Sequence, residues 1–121
     1  MLSKTLFIFI GGGLGSVFRF LINYIISIYY YSQFSTFLVN TTGSFLFGFF
    51  FLFLQAQSSL LNIFLLSGFL GGFTTFSQFS FDFLELNKNN LFLSTLYIIA
   101  SISISIIGAG FGIYLAQKLK L

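Results

Sequence analysis

The chain has 121 residues, of which 57% are hydrophobic and 6% charged, with a formal net charge of +3. A soluble domain is about one-quarter charged, so the composition is that of an integral membrane protein, and five basic residues are too few to track a nucleic-acid backbone. Cysteine, histidine and proline are all absent. Their absence excludes disulfides, thiol chemistry and the usual zinc ligands, and leaves glycine as the residue expected to break a helix.

Four apolar runs follow in chain order, with spans expected at about 5–31, 36–54, 60–84 and 91–116. Each reaches or approaches the ~20 residues that a bilayer core requires. Within the first, Gly11 and Gly15 stand four apart, the small-residue spacing that lets helix backbones approach closely. Arg19 follows about midway along the span, and Tyr29, Tyr30 and Tyr31 mark an aromatic belt at its end. A short polar turn, Ser32 to Ser35, leads into the second span, which opens with Val39-Asn40-Thr41-Thr42-Gly43-Ser44-Phe45. Gln55 to Ser59 reads as the next turn, and Glu85 to Asn90 as the last loop. The fourth span carries Tyr97, Ser101, Ser103 and Ser105, then Gly108 and Gly112, with Lys118 and Lys120 behind it. Tyr97 and Ser101 are one helical turn apart and share a face, whereas the three serines alternate. The reading is a single all-α membrane domain of four helices with short loops.

The third span holds the least expected stretch, Gly68-Phe69-Leu70-Gly71-Gly72-Phe73-Thr74-Thr75-Phe76-Ser77-Gln78-Phe79-Ser80. Three glycines within five positions loosen a helix, since each costs about 1 kcal/mol relative to alanine. A glycine-broken third helix is therefore expected. Thr74, Thr75 and Ser77 then place hydroxyls at membrane depth, where spare polar groups are expensive. Phe76 and Phe79, three apart, would share one face of a resumed helix.

Two readings stand for each intramembrane polar residue. Arg19 can snorkel or bond to carbonyls, or it can anchor anions in a watery vestibule. Asn40 can be interhelical glue or a pore donor. Asp82 and Glu85, the only acids, are expected at the water interface. The remaining candidates, Thr75, Ser77, Tyr97 and Ser101 with the edges of two phenylalanine rings, are mostly donors. That set suits a small, strongly hydrated anion. No nucleophile–base pair can be assembled without histidine or cysteine, so an enzyme is not expected.

These motifs resemble the Fluc (CrcB) family of small bacterial fluoride channels over nearly the whole chain. The resemblance is carried by Gly11 to Arg19, by Val39 to Phe45 and, most specifically, by Gly68 to Ser80. It implies a passive, fluoride-selective channel in the plasma (inner) membrane, exporting fluoride to relieve its toxicity. The assembly it implies is an antiparallel, dual-topology homodimer with two pores. Asn40 would be the pore amide, Phe76 and Phe79 the paired ring edges, Thr75, Ser77, Tyr97 and Ser101 the hydroxyl track, and Arg19 the vestibule arginine. Backbone carbonyls of Gly71 and Thr74 from both subunits would hold a structural sodium ion. Gln78 departs from the family's usual threonine and Asp82 from its usual glutamate.

Lys4, Lys118 and Lys120 oppose Lys88 across the membrane, a bias that places the termini in the cytoplasm on a margin compatible with both orientations. A small multidrug-resistance exporter shares the size and helix count, but its chemistry needs an acid in the first span, and this span has none. A fluoride–proton exchanger would have to rely on acids near one helix end.

Overall fold

The computed structural model describes residues 1–54 and 59–119. Helix α1 spans Leu2–Ser27 and α2 spans Ser32–Phe53. The third span is composite: α3 (Ser59–Asn62), a π-helical stretch (Ile63–Leu70), α4 (Gly71–Phe73) and, after a break, α5 (Phe76–Asn89). Helix α6 spans Leu91–Leu119. Among the described residues, four helical stretches are long and apolar enough to cross a membrane. At 1.5 Å per residue, the 26 residues of α1 reach about 39 Å, more than the ~30 Å hydrocarbon core.

Helix ends differ from the sequence reading for local reasons. Helix α1 stops at Ser27 because the amides of Tyr29 and Tyr30 both turn back onto the Ile26 carbonyl, at 3.0 and 2.8 Å. Helix α5 continues through the segment expected as a loop, and only Asn90 separates it from α6. Asn90 serves both helices: its amide donates to the Leu86 carbonyl at 2.9 Å, and its Oδ1 accepts the Leu93 amide at 3.0 Å. Such a cap satisfies an orphan first-turn donor. The turn expected at Gln55–Ser59 lies outside the described residues apart from the backbone of Ser59, and so does Lys120. Lys118 sets its Nζ 5.1 Å from the centre of the Tyr114 ring.

The bundle consists of two intimate helix pairs. The most extensive packing joins α2 to α6, and the next joins α1 to the π-helical stretch. Both seams are made by missing side chains. A Cβ on Gly11 would lie 2.5 Å from the Phe64 carbonyl oxygen, and one on Gly15 would collide with the Phe69 carbonyl. In the second pair, Gly48 abuts the Ala109 carbonyl and Gly112 the Phe45 carbonyl. Close packing of small residues takes the place of the hydrophobic drive that lipid does not supply.

The break in the third span is real, but the glycines do not form it. Gly71 keeps helical angles (φ −64°, ψ −36°), while Thr74 and Thr75 are extended at φ −77°, ψ 154° and φ −148°, ψ 116°. Gly68 and Gly72 instead press against α1 at Gly11 and Gly12. Val39, Leu70 and Phe73 form the buried core at this level, flanked by Ile22, Leu46, Phe50, Leu66 and Phe69. Because successive spans alternate in direction, the α1–α2 and α5–α6 connections share one end of the bundle. Helix α5 therefore starts at mid-membrane and climbs towards that end.

Candidate polar pathway

Asn40 explains why the third helix breaks where it does. Its Oδ1 accepts the Thr75 amide at 2.7 Å, and its Nδ2 donates to the Thr75 carbonyl at 2.9 Å. One side chain of α2 thus satisfies both backbone groups of an extended residue inside the membrane, where an orphaned group is costly. The Thr75 hydroxyl accepts the Gln78 amide at 3.2 Å and caps α5. It also meets the Ser77 hydroxyl at 3.2 Å. Asn40 is accordingly interhelical glue in this structure, and one of its two Nδ2 hydrogens is left over.

Four carbonyls, from Gly71 to Thr74, lose their usual donors in consequence. In a continuous helix the amides of Thr75 and Gln78 would bond to the carbonyls of Gly71 and Thr74, four residues back. Both amides are engaged elsewhere, with Asn40 and with the Thr75 hydroxyl. The Gly71 and Thr74 carbonyls are thereby left without an intrahelical donor. Gly71 is also exposed, and a Cβ there would meet only the Leu66 carbonyl oxygen at 3.7 Å.

The same break opens a groove of about 430 Å³ whose lining includes Asn40, Ser44, Thr75, Phe76, Phe79 and Ser101. The rings of Phe76 and Phe79 stand 5.4 Å apart, with Phe79 buried and Phe76 76% exposed. Ser101 is buried beside the Tyr97 hydroxyl, with no well-formed hydrogen bond of its own. Ser105 also lines the groove, one turn beyond Ser101, while Ser103 faces outwards. The alternation of the three serines concealed this i, i+4 pair.

Asp82 requires a correction. It is fully buried (0% exposed), not at the water interface; only Glu85 is exposed there. The continuation of α5 to Asn89 puts Asp82 well inside the helix. Its Oδ1 accepts from Gln78 Nε2 at 2.9 Å and its Oδ2 from the Tyr97 hydroxyl at 3.3 Å. The Tyr97 ring in turn packs on Phe79, with centroids 5.4 Å apart. Beyond this polar string lies a second cavity of about 310 Å³, lined by Asn23, Ser27, Ser35, Thr36, Gln78 and two aromatic rings among others. It lies towards the end of the bundle that carries the α1–α2 connection.

Asn40, Thr75, Phe76, Phe79 and Ser101 therefore meet in the groove, Ser77 touches its edge through Thr75, and Tyr97 lies behind Phe79. Arg19 is half-buried on α1 and lines neither cavity. Asp82, Gln78, Thr36 and Ser105 complete the polar set. The spacing of Gln78 and Asp82, one helical turn, was the signal available for that pair.

The family model described as CrcB-like protein, Camphor Resistance (CrcB), matches residues 6–113. The chain belongs to the CrcB family. A relative in Flavobacterium psychrophilum, the fluoride-specific ion channel FluC, is 38% identical over 96% of this chain and 99% of its own length. Channels of the same name in Bacteroides fragilis and Phocaeicola vulgatus are 37% and 40% identical, covering 98% and 96% of this chain and 100% of each relative. The matched region of this CrcB protein includes the break, both cavities and the buried acid. It is a multi-pass membrane protein.

Proposed function

We propose that this chain is a passive, fluoride-selective channel of the plasma (inner) membrane, not an enzyme, and that it exports fluoride from the cytoplasm. The observation that carries the reading is the groove itself, where the Asn40 amide and the Thr75, Ser101 and Ser105 hydroxyls meet the Phe76 and Phe79 rings, with Asp82 outside the lining and both its oxygens occupied. The names of the relatives support the same ion. A pore must replace an ion's hydration without holding it too tightly to leave. Donors without a fixed positive charge meet that requirement for a small anion. The driving force is the membrane potential, about 2.3 kcal/mol per elementary charge per 100 mV.

Groove, polar string and second cavity follow one another from mid-membrane towards one face, so they form a candidate route. Asn40, Ser101 and the edges of Phe76 and Phe79 would receive the ion. Thr75 and Ser77 would supply hydroxyls beside them, with Tyr97 beyond. Arg19 would act from a vestibule completed by a second copy. Phe76, largely exposed in the single chain, supports a homodimer, and the family resemblance supports its antiparallel, dual-topology form. In that dimer the Gly71 and Thr74 carbonyls of each chain would hold a structural sodium ion. An exporter of the multidrug type is disfavoured, because α1 has no acid. Proton exchange is disfavoured too, because Asp82 is sequestered between two donors.

The test is fluoride release from proteoliposomes, followed with a fluoride electrode while valinomycin carries potassium. Rapid fluoride release, no matching chloride release and loss of flux in Phe79→Ile are expected. Equal release of the two halides, or none from folded protein, refutes the proposal.

A further inference from the structure

A fully buried carboxylate beside a route for anions is a liability, since like charges repel strongly where water is scarce. Two side chains engage its oxygens. Gln78 and Asp82 lie one turn apart on α5, and their hydrogen bond needs no other element. A carboxylate only accepts, so it fixes the Gln78 amide with its nitrogen towards the acid. The other oxygen is left for the Tyr97 hydroxyl on α6, and the Tyr97 ring supports Phe79 in the groove. Among the described residues, Gln78 alone both bonds the acid and lines the second cavity. Asn23 lines the same cavity.

We propose that Gln78 is a positioning residue for anion passage: it masks Asp82 Oδ1 from the second cavity and holds Asp82 so that Oδ2 anchors Tyr97 behind Phe79. An anion in the second cavity then meets the neutral Gln78 amide in place of carboxylate oxygen. The inference rests on the channel reading of the groove and adds to it a residue that acts through the acid and the tyrosine. It also gives a role to Gln78, which stands where the family usually has threonine. Threonine at this position could not span the turn to Asp82, so Gln78 serves the route and does not damage it.

A double-mutant cycle tests this with the full-length protein in proteoliposomes, using Gln78→Met, Asp82→Asn and the combination. Initial fluoride efflux is normalised to folded, reconstituted protein. Gln78→Met is expected to lower the rate about tenfold or more, the loss that accompanies removal of a donor from a buried charged group. In the Asp82→Asn background the same change is expected to alter the rate by less than about twofold, because no charge remains to be masked. A role confined to helix stability would lower folded yield and leave normalised rates additive, which overturns the proposal. Should Gln78→Met fail to reconstitute, Gln78→Glu carries the test: it has the same shape, cannot donate when ionised and is expected to lose about tenfold or more. A Gln78→Glu rate equal to wild type overturns the proposal. Wild-type efflux with Gln78→Met within twofold overturns this inference alone. No wild-type efflux overturns the channel reading and this inference with it.

Discussion

Replacement of Asn40 by leucine tests the clamp that gives the third span its shape. Leucine removes the 2.7 Å and 2.9 Å hydrogen bonds to Thr75 together. Interhelical hydrogen bonds in membranes average about 0.6 kcal/mol and reach about 1.7, so the pair contributes roughly 1–3 kcal/mol. Part of that is recoverable. Freed from Asn40, the Thr75 amide can return to the Gly71 carbonyl and mend the helix, which removes the extended segment lining the groove. The expected result is a modest loss of stability in detergent, about 1–3 kcal/mol, with a disproportionate loss of fluoride efflux. Asn40→Asp should fall between wild type and leucine in stability, since it keeps the acceptor for the Thr75 amide and loses the donor to the Thr75 carbonyl. Denaturation in mild detergent gives the stability, and the liposome assay gives the flux. An Asn40→Leu protein with wild-type flux and stability would show that the break does not depend on Asn40.

Three further outcomes follow from the packing. Gly15→Ala forces a methyl group against the Phe69 carbonyl and Phe73 amide and should destabilise by about 1–3 kcal/mol; Gly13→Ala, with no atom within 4 Å, should not, and thermal aggregation in detergent distinguishes them. Thr75→Val removes the cap on the Gln78 amide and should cost about 1 kcal/mol, whereas Thr75→Ser should retain most of it. Replacement of sodium by N-methylglucamine throughout purification should lower the melting temperature if the Gly71 and Thr74 carbonyls hold that ion, and an unchanged value in saturating and sodium-free buffer would reject the site.

The spans were legible because their apolar runs are long and the intervening turns polar. The glycine seams were legible from spacing alone: Gly11 and Gly15 in α1, and Gly112 in α6, all abut backbone. Much of the groove was legible too, since Phe76, Phe79 and the hydroxyl of Thr75 follow one another on a single segment. The exact break was not. Flexibility at Gly68, Gly71 and Gly72 pointed to the right neighbourhood, but the two hydrogen bonds that hold Thr75 open come from a residue 35 positions away. Asp82 was misplaced for a related reason. An acid near the end of an apolar run looks interfacial until one knows that the helix continues through Glu85 and Lys88 to Asn89. The π-helical stretch from Ile63 to Leu70, which packs along α1, has no signature in residue type.

The absence of proline from a broken transmembrane helix has a consequence for biosynthesis. A proline kink is written into its own segment and is present from the moment the chain leaves the ribosome. Here the interruption is supplied by a neighbour, so the third span can enter the lipid as an uninterrupted helix with its backbone groups internally satisfied. On docking against the second span, Asn40 would capture Thr75 and open the groove. The polar route would then be a product of assembly, absent from the nascent chain, and a half-inserted protein would leave the bilayer sealed.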